Sequence, residues 1–201
     1  MYTLFGDSRS GNCYKARLLL AATGARYQWQ EVDAAGRTGT RNQTFLAMNP
    51  NGKVPVLEIA PGQYLAESNA ILWYLADGSP LWPADRLERA RALQWMFFEQ
   101  HTLVRFIARA RRIMRLLPPD HPERAELPGL REEGDRALGV MERRLAESPF
   151  FAGAQYSIAD IALFAYTHLA PQGGFDLDRF PAINDWIARV RAQPGFVAME
   201  G

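Results

Sequence analysis

The stretch NPNGKVPVLEIAPGQYLAESNAILWYLA, residues 49–76, carries the pattern that decides the fold. Asn-Pro-Asn-Gly is a strong turn signal, and the β-prone run VPVLEI follows it over residues 54–59. Pro61-Gly62 turns the chain back into a brief strand at residues 63–65, and Glu67-Ser68 then opens a helical pattern. These signals predict two neighbouring strands that lead directly into a helix.

The residues before this stretch alternate between strand and helix patterns. Residues 2–5 read as a strand, and a helical pattern runs from Ser10 to a predicted stop at Gly24. Residues 27–32 alternate like a strand, and a short helix is expected near residues 42–48. This order predicts a mixed sheet with helices packed on it.

The chain changes character after this α/β half. A Pro- and Gly-rich linker is followed by apolar residues with a helical period, including one long helix predicted over residues 87–117. Ser157-x-x-Asp160 is a capping-box pattern at the start of another helix. The predicted organisation is residues 1–78 (α/β domain), 79–85 (linker) and 86–201 (all-α domain).

Composition narrows the possible functions. A net charge of +1 over 201 residues gives no electrostatic signature of nucleic-acid or anionic-membrane binding. The single cysteine cannot form an internal disulfide, as is typical of a reducing compartment. The N-terminal residues do not resemble a signal peptide, and no apolar run reaches the roughly 18 residues of a membrane span. We expect a cytoplasmic protein that binds neither membrane nor nucleic acid and holds no metal.

Three short segments could form a site. A proline at the start of a core strand, Pro55, marks an edge, a bulge or a cis peptide. Glu67-Ser68 is either a plain N-cap or a place where a helix N-terminus and a carboxylate bind a ligand's carboxylate and amine. RSGNCYK, residues 9–15, is either an ordinary cap by Ser10 or a thiol-binding turn.

The cysteine and the lysines within these segments each have two interpretations. Cys13 is either a small packed residue or a nucleophile. Of 23 basic residues, only Lys15 and Lys53 are lysine, and both border the candidate site. Lys is a compact point charge suited to an anionic ligand. Lys15 is therefore either part of that site or only a charge on the helix surface.

Through these motifs, essentially the whole chain resembles the cytosolic glutathione transferase superfamily. The first half is similar to its thioredoxin-like glutathione-binding domain through RSGNCYKARLLL, NPNGKVPVLE and LAESNAILWYLA. The second half is similar to its all-helical domain through SIADIALF. Ser10 matches the catalytic serine of the zeta and theta classes. S-G-N-x-x-K is similar to the T-P-N-x-x-K pattern of bacterial nu-like members, which places Asn12 where those proteins contact the glutathione sulfur.

The resemblance implies a role for each matching residue. Ser10 and Asn12 would activate the thiol of glutathione, which acts as co-substrate. The other matching residues would hold the three parts of glutathione. The backbone of Val54, with Pro55 cis, would pair with the cysteinyl part. Glu67 and Ser68 would hold the γ-glutamyl end, and Lys53 would meet the glycyl carboxylate. The protein would be a homodimer that adds the glutathione thiolate to a small electrophile.

The second substrate leaves a weaker signal. Phe98, His101 and Arg105 are spaced to share one face of the long helix, together with Arg109. That face is either a substrate-binding surface or a solvated or dimer-facing stripe.

Three other functions stay open at this point. The same site could reduce a disulfide with glutathione alone, as nu-like members do. The chain could be a non-catalytic binding or scaffold protein that kept the fold. An enzyme with Cys13 as nucleophile is a further alternative, although glutaredoxin-like exchange needs cysteine at the position of Ser10.

Overall fold

In the computed structural model, residues 1–34, 36 and 38–199 are described. They divide into two compact units, of which the first contains residues 1–82 together with the stretch from residue 193 and the second contains residues 83–192. The sequence predicts one all-α domain over residues 86–201, whereas the stretch from residue 193 belongs to the first unit. The predicted end of that domain, residue 201, lies outside the described residues.

The first unit contains a four-stranded mixed sheet. Its elements are β1 (Tyr2–Gly6), α1 (Gly11–Ala22), β2 (Tyr27–Glu31), α2 (Gln43–Met48), β3 (Val56–Ala60), β4 (Gln63–Ala66) and α3 (Ser68–Ala76). The strand order is β2-β1-β3-β4, with β1 and β2 parallel and the other neighbours antiparallel. The predicted alternation of strands and helices is therefore confirmed.

Apolar side chains of the sheet and of two helices form the core of this unit. Leu4 and Leu57 pack with Ala16, Leu20 and Ile71, and all five are fully buried. Because α1 and α3 each present an apolar stripe to the sheet, their N-terminal ends are held in place by the core. The core thereby fixes the helix ends that carry the candidate site.

The stretch that begins at Gln193 packs against α1. The hydroxyl of Tyr14, whose side chain is buried, donates a 2.6 Å hydrogen bond to the carbonyl oxygen of Val197. Gly195 has a φ of 74° and lies so close to the backbone of Ala21 that a Cβ atom would come within 2.7 Å of its carbonyl oxygen. Glycine is therefore required at this crossing.

We expect Tyr14→Phe to lower the free energy of unfolding by about 1 kcal/mol, because one hydrogen bond between α1 and this stretch is lost. Tyr74→Phe is the control, since Tyr74 is exposed and should tolerate the loss of its hydroxyl. Chemical denaturation measures both variants. Equal midpoints for Tyr14→Phe and wild type would show that the bond contributes nothing.

The second unit is helical, as predicted. It contains α4 (Arg86–Phe98), a π-helical segment (Glu99–Leu103), α5 (Val104–Leu116), a 3₁₀ turn (Pro122–Glu126), α6 (Leu127–Glu147), α7 (Ile158–Thr167), two 3₁₀ turns (Ala170–Gly173 and Leu177–Arg179) and α8 (Pro181–Arg191). The prediction of one uninterrupted α-helix over residues 87–117 is wrong, because the wider π turns separate α4 from α5. None of the helices among the described residues is long and apolar enough to cross a membrane.

Helix α7 forms the centre of the second unit, and all of its residues are buried. The predicted capping box is confirmed at its start. The side chain of Ser157 accepts a hydrogen bond from Ala159 N, and Asp160 accepts one from Ser157 N at 2.9 Å. Asp160 also accepts from Phe151 N at 3.1 Å and from the indole nitrogen of Trp186 at 3.0 Å. This fully buried carboxyl group thus connects three parts of the unit.

Candidate functional site

Strand register brings the three predicted segments to one edge of the sheet in the first unit. Phe5 pairs with Val56 across β1 and β3, and Val56 pairs with Ala66 across β3 and β4. The chain therefore leaves β1 towards Ser10, enters β3 from Val54-Pro55 and leaves β4 towards Glu67, all at the same edge. The sequence predicts that these segments belong to one site, and the strand register brings them to the same edge of the sheet.

Ser10 stands at the N-terminus of α1, as its capping signal predicts. Its backbone is extended, and its Oγ accepts a hydrogen bond from Cys13 N at 3.4 Å. A serine hydroxyl that accepts one hydrogen bond can still donate its own proton. Ser10 is half-buried, so the cap function and donation to a ligand are compatible.

Asp7, which the sequence analysis did not single out, holds the turn before Ser10. Its carbonyl oxygen accepts from Ser10 N at 2.9 Å. Its buried carboxylate accepts from Arg9 N, from the Arg9 guanidinium and from Ala34 N. Burial alone would raise the pKa of Asp7, but the hydrogen bonds from Arg9 and Ala34 outweigh it and lower the pKa. The carboxylate therefore stays ionised and fixes the turn.

Cys13 is fully buried in the first turns of α1. Burial raises the pKa of its thiol to about 12, although a contact with the Ser10 side chain acts in the opposite direction. At neutral pH, only about one thiol in 10⁵ would be ionised at such a pKa. Cys13 is packed as a small apolar residue and is poorly suited to act as a nucleophile.

A buried polar cluster joins the starts of α1 and α3. Lys15 is fully buried, and its Nζ donates to Ser68 Oγ at 3.3 Å and to Asn69 Oδ1 at 3.4 Å. Ser68 Oγ donates in turn to Asn12 Oδ1 at 3.3 Å. The alternative that Lys15 is only a helix-surface charge is wrong. Asn12, predicted to contact the glutathione sulfur, and Ser68, predicted to hold the γ-glutamyl end, are therefore in direct contact.

Helix α3 begins differently from the plain cap that the sequence allowed. Glu67, not Ser68, is the capping residue, and its side chain makes no capping hydrogen bond. Glu67 adopts a φ of 69°, a left-handed conformation that is uncommon for residues other than glycine. Such strain costs about 1–3 kcal/mol and is found most often at functional sites. Glu67 is exposed, whereas Ser68 is buried.

The Val54–Pro55 peptide bond is cis, as the resemblance implied. The turn before it is held by Asn49, whose Nδ2 donates to the carbonyl oxygen of Lys53 at 2.8 Å and whose Oδ1 accepts from Asn51 N. Pro55 is buried, Val54 is half-buried and Lys53 is exposed. This segment therefore presents an exposed lysine and a partly exposed valine at the edge of the sheet where β3 begins.

The predicted second-substrate residues belong to the second unit. Phe98 and His101 line an open surface pocket of about 530 Å³ with Phe97, Gln100 and Thr102. Arg105 does not line it, and its guanidinium lies over the ring of Phe106. Arg109, which the helical spacing had placed on the same face, is paired with Glu126 at 2.7 Å. The π turns alter the register between these residues, so the single predicted face is divided.

The described residues contain no group of three or more His, Cys, Asp or Glu side chains that could hold a metal ion. Beyond Asp7, sequence reasoning missed the burial of Lys15 and its contact with Asn69. The only available signal was that both lysines of an arginine-rich chain border the candidate site.

Comparison with known proteins gives a consistent result for both halves of the chain. Family models described as "Glutathione S-transferase, N-terminal domain" and "Glutathione S-transferase, C-terminal domain" match residues 9–77 and 107–194. The chain is 32% identical over 190 residues to the disulfide-bond oxidoreductase YfcG of Escherichia coli K12. That alignment covers 91% of this chain and 87% of YfcG.

Solved structures with the same fold are also similar in sequence. A glutathione S-transferase from Pseudomonas fluorescens Pf-5 is 50% identical, with a TM-score of 0.95, and the match covers 100% of this chain and 99% of that one. A theta class glutathione S-transferase from Xanthomonas axonopodis pv. citri, solved with glutathione bound, is 26% identical, with a TM-score of 0.90 and 99% of both chains covered.

Proposed function

The chain belongs to the glutathione S-transferase family, and from this premise we propose that it adds the thiolate of glutathione to small electrophiles. In this reaction the sulfur forms a bond to an electrophilic carbon. Either a leaving group departs with its bonding electrons or a proton completes the addition. The observation that carries the proposal is the polar cluster at the two helix starts, in which Asn12 and Ser68 are hydrogen-bonded to each other beside the cap residue Ser10.

Activation of the thiol is the first task of the proposed site. A free thiol with a pKa near 8.5 is only about 3% ionised at pH 7. A hydrogen bond from Ser10 or Asn12, together with the positive end of α1, favours the anion. A pKa lowered by about 2 units is plausible at a helix N-terminus and would give roughly 25-fold more thiolate.

The other matching residues would hold the rest of glutathione. The backbone of Val54, preceding cis Pro55, would pair with the cysteinyl part in the manner of an added strand. Glu67 would bind the γ-glutamyl amine, while the backbone amides at the N-terminus of α3, beginning with that of Ser68, would bind its carboxylate. The exposed ammonium of Lys53 would meet the glycyl carboxylate. The bound glutathione of the Xanthomonas relative supports this ligand.

A glutathione titration of the purified protein, followed by thiolate absorbance across pH, tests the proposal. We expect saturable binding, with thiolate formed well below the pKa of the free thiol. Binding without a pKa shift, or no binding, would contradict the proposal and favour a non-catalytic scaffold.

Glutathione-dependent disulfide reduction is the second candidate, favoured by the similarity to a disulfide-bond oxidoreductase. Here the bound thiolate would attack a disulfide, so that a mixed disulfide with glutathione forms and one thiol leaves. A second glutathione would then attack the mixed disulfide, which releases the second thiol and forms glutathione disulfide. Parallel assays with a model electrophile and a small mixed disulfide separate the two activities. We expect Asn12→Ala to impair disulfide reduction more strongly than addition if the nu-like parallel holds.

Cys13→Ala should leave turnover with glutathione unchanged within about twofold, because the buried thiol is almost fully protonated at neutral pH. Steady-state kinetics with the model electrophile measures this effect. A loss of activity larger than the accompanying loss of folded protein would restore Cys13 as a candidate nucleophile.

The electrophile and the assembly state are further parts of the proposal. Phe98 and His101 offer an aromatic, partly apolar surface for the electrophile, and the exposed Arg105 could attract an anionic one.

By resemblance, the protein would be a cytoplasmic homodimer. Sedimentation of the purified protein at micromolar concentration distinguishes a dimer from a monomer.

A further inference from the structure

Lys15 is a buried charge for which the proposed reaction has so far no use. Its side chain has no exposed surface, although lysine is almost never fully buried unless it is paired. It reaches from α1 to the start of α3, where Ser68 Oγ and Asn69 Oδ1 accept its hydrogen bonds. A buried ammonium therefore lies at the junction of the two helix starts.

The hydrogen bonds of this cluster have a fixed direction. An ammonium group only donates, so Ser68 Oγ must accept from Lys15. The single proton of the Ser68 hydroxyl then points to Asn12 Oδ1, which accepts it. Since the oxygen and the nitrogen of a carboxamide diverge from one carbon, the contact of Oδ1 with Ser68 leaves Nδ2 of Asn12 as the end of the amide that does not face this hydroxyl.

We propose that Lys15 is a positioning residue that, through the Ser68 hydroxyl, holds the Asn12 carboxamide with its donor end available to the glutathione sulfur. This inference rests on the proposed function, because it concerns the same thiolate. A thiolate is an acceptor and is stabilised by Asn12 Nδ2, whereas Asn12 Oδ1 would repel it. Lys15 acts by fixing the orientation of that amide and does not itself touch the substrate.

The test compares the thiol pKa of bound glutathione in four variants at saturating ligand. We expect Lys15→Met to raise this pKa by about 1 unit, which corresponds to about tenfold less thiolate at a pH well below it. Ser68→Ala retains the Lys15 charge but breaks the same chain, and should raise the pKa by a similar amount. The double variant should show no more than about 0.3 unit beyond the larger single effect, since both changes break one chain.

Asn69→Ala is the matched control. It removes a different acceptor of Lys15 but leaves the chain from Lys15 to Asn12 intact, so the thiol pKa should stay within about 0.3 unit of wild type. If Lys15→Met does not fold, the comparison of Ser68→Ala with Asn69→Ala still tests the proposal. We expect a raised thiol pKa in Ser68→Ala alone, and an unchanged pKa in Ser68→Ala would overturn the proposal.

The outcomes separate this inference from the proposed function. A wild-type protein that lowers the thiol pKa, with Lys15→Met unchanged from it, would overturn the positioning role and leave the function standing. A raised pKa in Lys15→Met with an unchanged Ser68→Ala would show that the charge acts directly, which also overturns the role of the Ser68 hydroxyl. A wild-type protein that lowers no thiol pKa would overturn both.

Discussion

Asp160→Ala is expected to lower the free energy of unfolding by about 4 kcal/mol or more. The carboxyl group is fully buried and accepts hydrogen bonds from the backbone of Phe151 and Ser157 and from the indole of Trp186. Alanine would leave these donors unpaired in the interior, at about 1–3 kcal/mol each. It would also remove half of the capping box of α7. Chemical denaturation measures the loss.

Asp85→Ala is the matched control for this prediction. Asp85 is also an aspartate at a helix start, where it accepts from Leu87 N and Glu88 N, but it is exposed. Its loss should cost only about 1 kcal/mol, as is typical of an N-cap, because water can replace the carboxylate. If both variants lost the same free energy of unfolding, the burial of Asp160 and its contacts with Phe151 and Trp186 would add nothing to the stability beyond an ordinary cap.

The pH dependence of the same residue gives an independent readout. Burial raises the pKa of Asp160 from 3.8 to about 6, although four hydrogen bonds oppose the shift. Since the folded state then binds the proton more tightly, the contribution of this group is fully present below about pH 3.8 and is lost as the pH rises through about 6. The free energy of unfolding that Asp160→Ala loses relative to wild type should therefore be larger near pH 4 than near pH 7.

Ser10→Ala is expected to lower turnover at least about tenfold while glutathione affinity changes little. The Ser10 hydroxyl accepts from Cys13 N and has its own proton to donate to the sulfur. That donation stabilises the thiolate rather than the whole ligand, so the effect should fall on the reaction more than on binding. Steady-state kinetics and a binding titration measure the two effects separately.

Ser8→Ala is the control, since its hydroxyl lies two residues away in the same turn but bonds to Glu31 Oε1. It should retain turnover within about twofold. Loss of the cap in Ser10→Ala will also cost about 1 kcal/mol of stability, so both variants are compared below their unfolding transitions. Wild-type turnover from Ser10→Ala would remove Ser10 from the mechanism and assign the activation to Asn12.

Features with local signals could be predicted from the sequence. The helix stop at Gly24, where φ is 66°, and the capping box of α7 depend on a few neighbouring residues. The cis bond before Pro55 followed from the resemblance, and the membership of the glutathione transferase superfamily is confirmed.

Features that depend on distant contacts could not be predicted. Lys15 is buried because its partners, Ser68 and Asn69, arrive from more than 50 positions further along the chain. The π turns after α4 break a helical period that the residue types alone support. The positive φ of Glu67 could not be predicted from its neighbours, because such a φ is ordinarily adopted by glycine and this position carries a glutamate.

The hydrogen bond between Tyr14 and Val197, 183 positions apart, has a consequence for the synthesis of the protein. The ribosome delivers all the strands of the sheet and then the helices of the second unit before the stretch from residue 193 emerges. Until that stretch emerges, Tyr14 and the backbone near Ala21 in α1 lack the segment that covers them in the folded protein. The first unit, although most of it is made first, is completed last, and until then α1, with the proposed thiol-binding turn at its start, stays accessible to chaperones.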